Sequence, residues 1–225
     1  KIIFKTLNDD YKTIKEYIDN FADKKVDENS TQSDVKETKI IYYVSDLKQQ
    51  AQYVNIFKDN NLNAVILNAL IDSHFISFLE MKLQDVKFKR IDSDLSDSIK
   101  EKNDTDSLTK ENTEAIENAV KEINPNIKVK FETLSENSVP AIVLLTEESR
   151  RFQEMSRMYG GMNSSGLPSD ETLVLNYNHK LVKNVASFIT DDSKKEDAKL
   201  LLAQLYDLAM ISHKPMEPED MKKFV

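Results

Sequence analysis

Residues 39–44, KIIYYV, are an unbroken run of apolar, β-branched and aromatic side chains. A strand with one wet face alternates in polarity, so a run without alternation needs cover on both sides, as in a parallel sheet held between helices. The residues that follow fit that plan. Residues 46–58 place Leu47, Ala51, Val54 and Phe57 on one helix face, and AVIL at 64–67 reads as a second buried strand. Residues 72–82 read as a second helix, with Asp72 or Ser73 as its N-cap. VKFKR at 86–90 alternates apolar and basic side chains, the pattern of a sheet edge. Strand–helix–strand–helix spacing of this kind predicts right-handed parallel crossovers and a small α/β sandwich.

The flanking stretches have different characters. Residues 11–21 put Tyr11, Ile14, Tyr17, Ile18 and Phe21 on one helical face, and 23–38 are polar enough to read as a linker or loop. A second polar stretch, 92–106, marks a domain boundary. Beyond it, Leu108, Ala115, Ile116, Ala119, Val120 and Ile123 stripe a helix that Pro125 ends. IKVKFET at 127–133 alternates strictly, and VPAIVLL at 139–145 follows at hairpin distance. A helix over 147–159, a Gly/Ser/Pro loop at 160–170, the strand LVLN at 173–176 and helical patterns over 179–224 complete an α+β plan. The predicted domains are thus 1–38, a tail helix and linker; 39–106, the α/β subdomain with its polar linker; and 107–225, an α+β domain with a helical C-terminal end. A length of 225 residues suits two domains of roughly 100–150 residues. The chain begins within what reads as continuing structure, so it is expected to be part of a longer one.

Composition excludes several chemistries. With no Cys there is no thiolate nucleophile, disulfide or thiolate metal site. His74, His179 and His213 are too scattered for a His-rich metal motif, and no metal site is expected. Neither GxxxxGK[ST] nor GxGxxG occurs, so neither phosphate-cradling loop is available. A net charge of −8 argues against nucleic acid or an anionic membrane as partner, and no apolar run approaches the roughly 20 residues of a spanning helix. Asp72, Ser73 and His74 are adjacent, but without a GxSxG turn to expose the serine they read as helix cap and first turn. Asn176, Asn178 and His179 read as strand exit and helix entry. No catalytic residue is expected.

Two apolar features carry more information. In EESRRFQEMSRMYGGM (147–162), Phe152, Met155, Met158, Tyr159 and Met162 share one side, ringed by Arg150, Arg151 and Arg157. Such a stripe is either ordinary core or a Met-rich surface for promiscuous apolar contact. In AKLLLAQLYDLAMI (198–211), only Gln204 and Asp207 interrupt the apolar residues after Lys199. This helix is either central to its domain, or it packs inward on one side and meets a second subunit on the other.

Four collinear blocks, IYYVSDLKQQAQYVNIFKDNNLNAVIL, IDSHFISFLE, EESRRFQEMSRMYGG and LVLNYNHKLVKNV, resemble the heat shock protein 90 chaperones, in particular the bacterial type. The resemblance implies that residues 1–23 end the larger part of the middle domain, that 39–91 are its small α/β subdomain, and that 107–225 are the C-terminal dimerisation domain. It implies an ATP-dependent, cytoplasmic, homodimeric chaperone of unfolded or partly folded clients. Its ATP and Mg would sit on a domain outside this chain, and the chain itself would not be an enzyme. The helices at 193–211 and 216–224 would form an intersubunit bundle, with Leu201, Leu205, Leu208, Ile211, Met221 and Phe224 as its contacts. The 147–162 segment would touch clients, as would His74, Phe75 and Phe78, in a helix that carries no Trp here. The alternative is a purely structural dimerisation module without client contact.

Overall fold

The computed structural model describes residues 2–26, 37–69, 71–93, 99, 109–158, 170–213 and 222; of 23–26, 37 and 153–158 it describes the backbone. The chain divides into two compact units, Lys1–Ser96 and Asp97–Val225.

The long buried run forms the centre of the first unit. β4 (Glu37–Val44) pairs in parallel with β6 (Val86–Arg90) along one side. The other side is shared by β3 (Asp23–Val26), antiparallel, and β5 (Val65–Ile66), parallel. A hairpin of β1 (Ile3–Lys5) and β2 (Tyr11–Thr13) joins β5 through a Thr6–Val65 bridge. Two crossover helices follow from the need to cover both faces of β4: α2 (Ala51–Asp59) and α3 (Asp72–Lys82). One core gathers Phe4, Tyr17, Ile41, Tyr43, Val65, Ile76, Leu79 and Phe88. As an edge strand, β6 alternates buried Val86 and Phe88 with exposed Lys87, which suits a strand that must not pair with another chain.

Several local expectations need correction. The first helix, α1, runs Ile14–Phe21, because Thr13 and Glu16 close a capping box (Thr13 N–H to Glu16 Oε2, 2.8 Å; Glu16 N–H to Thr13 Oγ1, 3.3 Å). Tyr11 therefore belongs to β2 and is 70% exposed. Residues 23–26, read as the start of a linker, take a place beside β4 through backbone pairing, which side-chain polarity does not reveal. α2 begins five residues later than the pattern suggested. Gln50 Oε1 accepts from the backbone N–H groups of Ser45 and Asp46, and Asp46 Oδ1 from those of Lys48 and Gln49, so 45–49 are held as a turn. Leu47 and Ala51 are consequently exposed, and the buried face is Tyr53, Val54, Ile56 and Phe57. Neither Asp72 nor Ser73 caps α3; Asp72 Oδ2 instead accepts from the Ala69 N–H at 2.8 Å.

The N-terminal residues are tied into this unit by one buried polar group. Asn63 Oδ1 accepts from Leu7 and Ala64 N–H, its Nδ2 donates to Thr6 Oγ1, and its carbonyl accepts from Tyr17 Oη at 2.7 Å. Tyr17→Phe removes that last bond and leaves a buried carbonyl short of a partner. Urea unfolding is expected to show a loss of about 1–2 kcal/mol.

In the second unit, β9 (Glu171–Asn176) is the central strand, parallel to β7 (Lys128–Glu132) and antiparallel to β8 (Ala141–Leu145). β7 and β8 are therefore not the expected hairpin. All six residues of β9 are buried, as are all five of the wholly apolar β8 (AIVLL), whereas β7 carries lysines on its wet face and stands at an edge. α4 (Lys110–Ile123) starts at its Thr109 cap, and Asn124 ends it just before Pro125. α6 (Lys180–Phe188) and α7 (Lys195–His213) pack with α4 and the sheet around Ile116, Val120, Val143, Leu173, Val182, Val185, Leu202 and Leu205. The fold is mixed α/β in both units.

Candidate functional site

α7 has two apolar faces. Ala198, Leu202, Leu205, Ala209 and His213 recur at i, i+4, i+7, i+11 and i+15 and are buried in the unit's own core. The opposite side presents Leu200 at 65%, Leu201 at 37%, Leu208 at 51% and Ile211 at 38% exposure, with Gln204 between them. Four large aliphatic side chains stand in water along one side of this helix. Of the residues expected at a dimer contact, Leu201, Leu208 and Ile211 thus lie outward. Leu205 does not: it is 6% exposed, because its position one turn after Leu202 puts it on the inward face. Leu200 was missed, although the inward 198/202/205/209 period, once recognised, leaves it outside. Met221 and Phe224 lie outside the described residues.

The helix at 147–158, α5 (Glu147–Met158), is anchored at its first turn. Glu147 accepts from Arg151 Nε at 2.9 Å and from Arg150 Nε at 3.2 Å, with a further close contact to Arg150 Nη2. Arg150 is 4% exposed, and this carboxylate neutralises a charge that burial would otherwise make costly. Phe152 points outward at 50% exposure. Met155 and Met158 stand on the helix backbone, and their side chains lie outside the description, as do Tyr159 and Met162.

On α3 the outward stripe is Ile71, His74, Phe78 and Met81 at i, i+3, i+7 and i+10. Ile71 and Met81 are each 70% exposed and Phe78 43%. The Lys82 ammonium lies 5.2 Å from the Phe78 ring centroid, a cation–π contact that keeps a charge beside the apolar stripe. Phe75 turns toward the core and is half-buried there. Sequence reasoning named Phe78 and His74 and missed Ile71 and Met81, which the same helical period would have found.

The polar candidates have structural work. His179 caps α6, its Nδ1 accepting from the Leu181 N–H. Asn176 is 1% exposed and holds the 134–139 turn. Asp191 is held below the usual carboxylate range by hydrogen bonds from the Ser193 hydroxyl and N–H. Lys199 is held above the ordinary lysine value by its hydrogen bond to Glu122, which ties α7 to α4. Among the described residues no group of three or more His, Asp or Glu is placed to hold a metal ion, and no helix is long and apolar enough to cross a membrane.

These elements define a class: two mixed α/β units, each with apolar helix surface exposed. The chain matches no protein-family model. It is 31% identical over 207 residues to chaperone protein HtpG of Bacteroides fragilis (strain YCH46), covering 88% of this chain and 29% of that protein. It is 34% identical over 159 residues to HtpG of Bacteroides thetaiotaomicron, covering 67% of this chain and 23% of the relative. HtpG of Porphyromonas gingivalis (strain W83) matches at 26% over 197 residues, 84% of this chain and 29% of the relative. The chain belongs to the heat shock protein 90 chaperones, of the bacterial HtpG type. It spans less than a third of the length of these curated relatives.

Proposed function

We propose that this chain supplies the homodimer contact and part of the client-contact surface of an ATP-dependent, cytoplasmic chaperone. The observation that carries the proposal is the second apolar face of α7. Leu200, Leu201, Leu208 and Ile211 are exposed on a helix whose other side is already core. A two-fold partner presenting the same stripe would bury all four pairs. ATP and Mg belong to the whole chaperone. The described residues supply no metal-holding cluster, and no phosphoryl-transfer step is assigned to this chain. Dimerisation would raise the effective concentration of the two nucleotide-binding parts for each other, so that their closure can act on a bound client.

Client contact falls to the outer faces of α5 and α3. Exposed Phe152 on one, and exposed Ile71, Phe78 and Met81 on the other, offer apolar surface that adapts to many apolar sequences, and the α5 sequence also carries Met155 and Met158. Phe152→Ser, Met155→Ser and Met158→Ser combined are expected to weaken binding of a fluorescently labelled unfolded protein about tenfold or more, with the melting temperature within a few degrees of wild type. Unchanged binding would reject client contact by α5. A fall in stability of about 2–5 kcal/mol would mark these side chains as core and favour a purely structural dimerisation module.

A further inference from the structure

We draw no further inference here: the strongest candidate, the cleft of about 450 Å³ with Glu111, Glu114 and Glu122 of α4 on one wall and Lys195 and Lys199 of α7 on the other, is a charged helix–helix groove in which Glu122 and Lys199 already pair, and nothing in the structure shows what would fill it.

Discussion

Replacing Leu201 and Leu208 with serine is expected to raise the dissociation constant of the proposed α7 dimer about 1,000-fold while leaving each protomer folded. The magnitude follows from what the two side chains still have to lose. They are 37% and 51% exposed in the protomer, so roughly half of a leucine's burial energy, about 1 kcal/mol, remains to be gained at each. Two positions, each occurring twice across a two-fold axis, amount to about 4 kcal/mol, or about three decades in affinity. Sedimentation velocity over a concentration series measures this directly. Leu205 gives the contrast within the same helix. It is buried among Leu202, Val143 and Ala209, so Leu205→Ala should cost the fold itself about 2–5 kcal/mol. If the two outward serines lower the melting temperature as much as the inward alanine does, the assignment of faces is wrong.

The second large effect is expected at Asn176. Its side chain fills four hydrogen-bonding roles at once: Oδ1 accepts from the Leu134 and Asn178 N–H groups, and Nδ2 donates to the carbonyls of Ser135 and Val139. Its own backbone N–H reaches the Pro140 carbonyl at 2.9 Å. One residue therefore closes the turn between β7 and β8 and starts the approach to α6. Asn176→Ala leaves two donors and two carbonyls without these partners in a region where Asn176 itself is 1% exposed. At about 1–3 kcal/mol for each buried group left unpaired, and with some recovered by water, a net loss of about 3–5 kcal/mol is expected. For a unit of this size that corresponds to a fall in melting temperature of about 10–20 °C. Thermal unfolding followed by circular dichroism checks it. A loss under about 1 kcal/mol would show that the turn holds itself.

The α/β unit was legible because its signal is redundant. KIIYYV can be buried only between two layers, and the helical spacing that follows supplies both. Edge strand β6 was legible for the same reason, its lysines standing where a neighbouring strand would otherwise pair. What failed was local. The 45–50 turn depends on the side chains of Gln50 and Asp46 reaching backbone N–H groups, and apolar periodicity carries no trace of that. Strand order in the second unit failed because sequence proximity favours a β7–β8 hairpin. The sheet instead inserts β9, which arrives last in the sequence, between the two, parallel to β7 and antiparallel to β8.

The interaction surfaces were half legible. A helix with almost continuous apolar character signals two buried faces, and α7 has one face buried and a second one waiting. Which leucine belongs to which face depends on where the core lies, so Leu205 was placed with its outward neighbours. The α3 stripe shows the opposite limit. Its low amphipathicity hides the outward Ile71 and Met81 until the sheet identifies Ile76 and Leu79 as the inward pair.

The mass of the unmodified chain in solution, measured by multi-angle light scattering from low to high micromolar concentration, tests dimerisation through α7 most directly. The outward leucines predict twice the chain mass, falling toward one on dilution and at every concentration once Leu201 and Leu208 are serine. A single-chain mass across the whole range, or a dimer unaffected by those two serines, would contradict it.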